Sequence, residues 1–306
     1  MAAHPSPGNE IKGLWLGFLG VAIFALTTPM TRLAVGPSGD PQLTPLFVTS
    51  GRAALAAVLS LVYLLATRAP WPRGRRQWAT LGLGACGVVF GFPLFLGMAL
   101  REVDAMHAAV VTGLLPLGTA VVAALAFRQR PALGFWCCAV LGFVLVLAFA
   151  VFKGGGLQLA DGFLLLAVLS ASAGYVAGAR LSAEWQAEHV ICWMLVISAP
   201  LTVPLACMVR PTGPVNASAW AGFFYVTLFS MWLGFFPWYR GLALGGAVRV
   251  SQVQLVQPFL SMLFAVPVLG ERLDLGTLLF SLTVIATVFV GKRMPAHVVV
   301  PCRSSP

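Results

Sequence analysis

Ten apolar stretches of about 20 residues each run through the sequence, separated by short segments rich in Gly, Pro and charged residues. A helix that crosses the hydrocarbon core of a bilayer needs about 20 apolar residues, because all of its backbone polar groups must be satisfied within the helix. The pattern predicts an all-α integral membrane protein with about ten transmembrane helices. We place these spans at 13–34, 44–67, 77–100, 106–127, 133–152, 162–181, 190–209, 219–239, 248–269 and 275–293.

The overall composition supports the same conclusion. Of the 306 residues, 59% are hydrophobic and 9% are charged, whereas a soluble domain carries about 25% charged residues. Too few polar side chains remain to cover a surface in water, so the lipid bilayer is the expected partner. The formal net charge of +10 comes from arginines between the apolar stretches, which is typical of loops on an anionic membrane surface and does not indicate a nucleic-acid partner.

The distribution of Lys and Arg predicts the orientation of the chain. With a cytoplasmic N-terminus, thirteen of these residues fall in inside segments and five in outside loops, while Arg52 lies within a span. Short cytoplasmic loops carry the excess of positive charge. We therefore expect both termini in the cytoplasm and a multi-pass protein of the plasma membrane, which is the inner membrane of a bacterium.

The two halves of the sequence repeat. A shift of 142 residues pairs Pro116 with Pro258 and Gly134 with Gly276. Each half holds five spans, and an odd number makes the second half enter the membrane from the opposite side. The prediction is two inverted five-helix repeats at 13–153 and 161–293, with cytoplasmic tails at 1–12 and 294–306.

Two motifs resemble the drug/metabolite transporter superfamily, specifically its EamA-type permeases. Pro258 is followed by small and apolar residues up to Gly270-Glu271-Arg272, which is similar to the proline-to-GER signature of that family. In the first half, the matching stretch begins at Pro116 and carries Gln129 in place of the Glu. Arg52 falls where the family usually has an Arg in the second span.

This resemblance implies a permease that exports or exchanges small metabolites, most often amino acids or related compounds, without a cofactor. A nucleotide-sugar or sugar-phosphate carrier of the same superfamily is the alternative, although such carriers need several cavity cations to bind phosphate. A membrane-embedded enzyme or scaffold is the alternative from another class. The acidic residues all lie in tails, in loops or at span edges, so no catalytic set is predicted. The sequence leaves open whether the chain forms a homodimer.

Arg52 is the most informative candidate for substrate binding. It lies roughly 12 Å from the outer end of its span by helix rise, and a cation at that depth normally faces a bundle interior or a wet cavity. It could attract an anionic group of the substrate, such as a carboxylate. The alternative is a structural pairing with backbone carbonyls or with a loop acid such as Asp40 or Asp104.

Amide and aromatic side chains supply the other candidates. Gln252, Gln254 and Gln257 precede Pro258 in the ninth span, where unpaired amides would be costly, so they contact substrate or bond between helices. Pro116 and Pro258 are candidates for helix breaks or gating positions. The two aromatic candidates for stacking on a substrate are Tyr175 and Trp232.

The sequence indicates neither a metal site nor an intramembrane proton carrier. None of the six cysteines forms a CxxC pair, and none has the neighbours that a metal site needs. His107, at the outer edge of the fourth span, is the one near-membrane side chain with an ordinary pKa close to neutral. We therefore expect facilitated diffusion or exchange, driven by the gradient of the substrate.

Glycine pairs four residues apart predict close contacts between helices. Gly87 and Gly91 form one pair, and Gly174 and Gly178 form the other. In membrane helices this spacing is typical of closely packed faces. Gly82-x-Gly84-x-x-Gly87 also matches a dinucleotide-binding pattern, but it lies in an apolar span with no preceding strand, so we do not assign that function.

Overall fold

The protein is described here from a computed structural model, which covers residues 7–126, 130–153, 156–182, 185–245, 250–293 and 296–297. In chain order the helices are α1 (Pro7–Ala25), α2 (Thr27–Val35), α3 (Pro45–Ala66), α4 (Arg75–Gly84), α5 (Phe92–Glu102), α6 (Ala105–Thr112), α7 (Leu115–Ala126), α8 (Leu133–Lys153), α9 (Leu159–Ser182), α10 (Ala187–Met208), α11 (Ala217–Tyr225), α12 (Phe235–Gly245), α13 (Gln257–Leu269) and α14 (Leu275–Arg293).

The helices combine into membrane spans as the sequence predicts. Among the described residues, eight helical stretches are long and apolar enough to cross a bilayer, and the first of them joins α1 and α2. Two shorter apolar helices, Val253–Leu269 and Leu275–Gly291, occupy the positions of the ninth and tenth spans. The all-α membrane fold with about ten spans is confirmed. Besides the helices, Arg130–Pro131 pairs in antiparallel fashion with Ala296–His297, which joins the segment after the tenth span to the loop after the fourth.

The packing of the spans follows the two-half pattern. The second span packs against the seventh, the fourth against the ninth and the fifth against the tenth, which are pairs of equivalent spans. The first span packs against the eighth, and the sixth packs against the third. These last two contacts are equivalent, because the first span corresponds to the sixth and the eighth span corresponds to the third. Helices of one half therefore pack mainly against those of the other.

Several spans depart from regular α-helix near their centres. The third and eighth spans contain π-helical segments, Ala85–Gly91 and Val226–Leu233, and the ninth begins with the 3-10 segment Ser251–Val256. Pro116 and Pro258 each stand at the second residue of a helix, where the missing backbone N–H is not needed. Such π-helical and 3-10 segments are frequent at functional sites in membrane helices.

Glycines bring the third and sixth spans into backbone contact, as the four-residue spacing predicts. A Cβ atom on Gly87 would lie 2.3 Å from the carbonyl oxygen of Ser170 and 2.7 Å from the backbone nitrogen of Gly174. A Cβ atom on Gly91 would lie 2.6 Å from the Ser170 hydroxyl oxygen. No other residue fits these two positions without moving one helix away from the other.

Candidate substrate cavity

A narrow cavity of about 50 Å³ lies where the halves meet. It is bounded by the breaks in the fourth and ninth spans at Pro116 and Pro258, and by both π-helical segments through Val88 and Ser230. The first, second, sixth and tenth spans complete the wall. The cavity is far smaller than the few hundred Å³ of a typical ligand site, so the helices around it must move apart to admit a metabolite.

Arg52 lines this cavity and is almost completely buried, with 2% of its surface exposed. Its Nη2 atom donates to the sulfur of Met231 at 3.1 Å, which is a weak acceptor. Its Nε and Nη1 atoms have no hydrogen-bond partner among the described residues, and no carboxylate of that part of the chain forms an ion pair with it. The structural pairing with Asp40 or Asp104 is therefore absent, since Asp40 accepts from Gln42 and Asp104 faces Arg32.

Repeat-related residues face each other across the cavity. The fourth-span residues Thr112 and Leu115 line it together with their equivalents in the ninth span, Gln254 and Gln257. Tyr175 of the sixth span also lines the cavity. The wall is therefore polar on the side of the ninth span and mostly apolar on the side of the fourth.

Buried hydroxyl groups at the cavity were not found from the sequence. Thr27 donates from its hydroxyl to that of Ser230 at 2.8 Å, and this bond joins the first and eighth spans across the two halves. Ser261 donates to the carbonyl oxygen of Ala25 at 2.7 Å, close to the break at Leu26. Thr and Ser are common in apolar spans, where they usually bond to the preceding turn of their own helix, so the sequence carries no signal that separates these residues from the others.

Two of the candidate residues are not assigned to the cavity wall. The ring of Trp232 packs against Tyr63 at 6.5 Å and against Phe236 at 5.2 Å between ring centroids, and Trp232 is not among the residues that line the cavity. The side chain of Gln252 lies outside the described part of the chain. No group of three or more His, Cys, Asp or Glu residues within the described ranges is placed to hold a metal ion.

Glu271 fastens the two halves together at one end of the bundle. Gly270 ends the ninth span with a left-handed φ of 71°, which turns the chain back toward the start of α6. The two carboxylate oxygens of Glu271 then accept from the backbone N–H groups of Ala105 and Met106, at 2.7 and 2.8 Å. A carboxylate at a helix N-terminus satisfies donors that have no partner in the helix. We call this end, marked by Ala105, Asp161 and Glu271, the clamped end.

Burial raises the pKa of Glu271 above its ordinary value, and the hydrogen bonds from Met106 and Ala105 lower it in part. The same carboxylate lies in the field of Asp104, which also raises the pKa, and of Arg32, which lowers it. The sequence identified Glu271 as part of a signature but gave no reason for a carboxylate at this position. The structure provides one, because the partner of Glu271 is 165 residues away in the chain.

The ring of His107 is hydrogen-bonded to a buried carboxylate at the clamped end. Its Nε2 atom lies 2.7 Å from Oδ1 of Asp161, and the side chains are 12% and 6% exposed. The other oxygen of Asp161 accepts from the backbone N–H of Gln158 at 3.0 Å. Asp161 does stand at a span edge, as expected, but it is buried there. Neither residue of the pair lines the central cavity.

Comparison with known proteins agrees with the arrangement of the spans. The model of the EamA-like transporter family matches this chain twice, over residues 11–151 and 158–291. The chain is also 40% identical over 289 residues to the uncharacterized transporter YdeK of Bacillus subtilis (strain 168), covering 93% of this chain and 99% of that protein. A solved structure described as "Crystal structure of protein" covers 92% of this chain and 98% of its own, with a TM-score of 0.61 at 18% identity, which is a likeness of fold alone.

Proposed function

The chain belongs to the EamA-like transporter family, and from this premise we propose that it exports or exchanges amino acids or related carboxylates. It is a multi-pass membrane transporter, and the proposal adds a substrate class, a location in the cell and an orientation in the membrane. In this proposal the membrane is the plasma membrane, the inner one in a bacterium, and both termini are cytoplasmic. The cavity at the junction of the halves is the substrate site.

Arg52 is the observation that carries the proposal. A cation near the membrane centre costs about 2.5–3.5 kcal/mol to insert into a helix, and here it is buried with two of its nitrogens unpaired among the described residues. A planar guanidinium matches the two oxygens of a carboxylate. A carboxylate bound at one edge of the guanidinium would give a partner to one of these nitrogens and would neutralise the charge.

The rest of the wall suits the remainder of such a molecule. Gln254 and Gln257 bring amide groups that bond to polar atoms of a substrate, while Phe24, Phe92 and Phe235 provide apolar surface. The ammonium group of an amino acid would bond to the amide oxygens, and its side chain would pack against the phenylalanine rings.

The charge of the cavity argues against the phosphate carriers. Among the described residues that line it, Arg52 is the only charged one. A nucleotide sugar or a sugar phosphate carries about two negative charges at neutral pH, and one arginine cannot neutralise them. A single carboxylate is matched by one guanidinium.

Exchange in liposomes tests the proposed substrate class. Purified protein is reconstituted, loaded with an unlabelled amino acid, and assayed for counterflow of the labelled compound, across a panel that pairs each acid with its amide. Compounds with a free carboxylate are expected to exchange and their amides are not. Exchange of the amides at equal rates would contradict the proposal. The panel is best chosen by comparing metabolites in spent medium from deletion and overexpressing cells.

A further inference from the structure

An apolar groove with a volume of about 660 Å³ lies on the lipid-facing side of the second and seventh spans. Leu61 and Leu65 form one wall, and both are exposed, at 46% and 67% of their surfaces. Val196, Ile197 and Pro200 form the other wall. The groove is at the opposite end of the second span from the clamped end, and it is not connected with the residues of the central cavity.

Tryptophan side chains line the groove where the second span ends and the seventh begins. Trp71 packs against Trp193 with 4.9 Å between ring centroids, and Trp78 lies 6.4 Å from the same ring. The indole N–H of Trp193 donates to the carbonyl oxygen of Pro70 at 3.2 Å, which fixes the loop after the second span onto the seventh. Tryptophan is enriched at the depth of the lipid headgroups.

Arg68 lines the mouth of this groove and has an unusual backbone conformation. It is the one described non-glycine residue with positive φ, at 49°. Its N–H donates to Leu65 and that of Ala69 to Leu64, at 3.2 and 2.9 Å, which is a Schellman motif with Arg68 at the position that strongly favours glycine. An arginine that adopts the left-handed conformation where glycine is favoured suggests a role for its side chain.

Among the described residues that line the groove, Arg68 is the only charged one. Three further arginines, Arg73, Arg75 and Arg76, follow Arg68 within eight residues and are exposed. Within the described ranges none of these four arginines forms an ion pair with a carboxylate. By contrast, the groove at the clamped end, near Pro45 and Phe163, is lined by Arg101 and Glu102 together. Among the described lining residues, the first groove therefore combines apolar walls with an arginine and no carboxylate.

We propose that this groove binds an anionic phospholipid, with an acyl chain between the second and seventh spans and the headgroup phosphate on Arg68. Basic pockets between transmembrane helices bind anionic headgroups in this way. The neighbouring arginines add attraction for a lipid with net negative charge. The proposal is independent of the transported substrate, because the groove and the central cavity share no residue.

Lipid binding to the full-length protein in detergent micelles tests the proposal. Phosphatidylglycerol and phosphatidylcholine with identical acyl chains are titrated separately, and bound lipid is counted by native mass spectrometry together with the thermal unfolding midpoint. The wild type should bind phosphatidylglycerol more tightly and gain more stability from it. Arg68→Gln should weaken phosphatidylglycerol binding about fivefold and leave phosphatidylcholine binding unchanged. Arg210→Gln, an exposed arginine at the other end of the seventh span, is the matched control and should behave as wild type.

Arg68→Gly separates the lipid contact from the backbone effect. Glycine removes the cost of the left-handed conformation, so this variant should unfold at a higher temperature than wild type without added lipid. It should still lose the preference for phosphatidylglycerol. Equal binding of the two lipids by wild type, or an unchanged preference in both Arg68 variants, would overturn the proposal.

Discussion

The guanidinium of Arg52 lies 3.1 Å from the sulfur of Met231, a contact between the second span of the first half and the π-helical segment of the second half. Thioether sulfur is a weak acceptor, so this buried guanidinium has only a weak hydrogen-bond partner among the described residues. This arrangement leaves the guanidinium without a strong acceptor until one enters the cavity. It is the basis of the proposed carboxylate site.

We predict that Gly87→Ala destabilises the folded protein. The added Cβ would lie 2.3 Å from a backbone oxygen of the sixth span, and overpacking of this kind costs about 1–3 kcal/mol. Gly82→Ala is the control on the same span, because nothing lies within 4 Å of its Cβ position. The yield of monodisperse protein and the thermal unfolding midpoint measure the difference. Equal stability of the two variants would show that the third and sixth spans are not in backbone contact.

We predict that Glu271→Gln weakens the clamp between the halves. A glutamine offers one oxygen to the two backbone N–H groups of Ala105 and Met106, and its NH₂ group faces the other donor. The expected loss is about 1–3 kcal/mol of unfolding free energy. Chemical unfolding in micelles measures it, with Glu102→Gln at the same end as the control. A Glu271→Gln protein as stable as the control would show that the carboxylate is not a cap.

The difference in unfolding free energy between the wild type and Glu271→Gln should depend on pH. Because the pKa of Glu271 is raised in the folded state, folding favours its protonated form, and ionisation of this group opposes folding at neutral pH. The wild type should therefore gain stability relative to Glu271→Gln as the pH falls from 7 to about 4.5, the ordinary pKa of Glu. The measurement is the difference between the two unfolding free energies at each pH. A difference that shrinks on acidification would contradict the raised pKa.

The sequence predicted the spans well because each span is a local property of about 20 residues. Arg52, Gln254, Gln257 and Tyr175 were selected as candidates for a related reason, since polar side chains in apolar stretches are conspicuous on their own. They line the cavity, and their role in substrate binding stays a prediction. The Thr27–Ser230 bond and the His107–Asp161 pair join residues far apart in the chain. The sequence singled out His107 but not its partner, and Thr27 and Ser230 look ordinary in their spans, so only the packing of the halves identifies these contacts.

Reporter fusions test the inverted topology. Fusions near residues 74, 130 and 300 should report the cytoplasm, and fusions near 38, 156 and 213 should report the outside, because the arginine-rich segments stay inside. Paired reporters that are active on opposite sides give a positive signal at every position. A cytoplasmic signal at 156 would mean that the two five-span halves do not have opposite orientations.

We predict that transport does not require a proton gradient. No Asp, Glu or His lines the central cavity among the described residues, whereas proton-driven carriers use such a group at the substrate site. Proteoliposomes loaded with substrate are given an inward pH gradient, with and without a protonophore. Uphill movement that disappears with the protonophore would contradict this prediction. In that case the buried pair is the first group to test, by His107→Gln and Asp161→Asn.

Counterflow by Arg52 variants measures the central claim most directly. Arg52→Gln, Arg52→Lys and the control Arg210→Gln are reconstituted at equal amounts of folded protein, and the apparent affinity for the carboxylate substrate is determined. We expect Arg52→Gln to lose at least about tenfold in affinity, as removal of a hydrogen bond to a charged group implies, and Arg52→Lys to recover part of it, because lysine keeps the charge but not the planar fork. Unchanged affinity in a folded Arg52→Gln protein would contradict the claim that Arg52 binds the substrate.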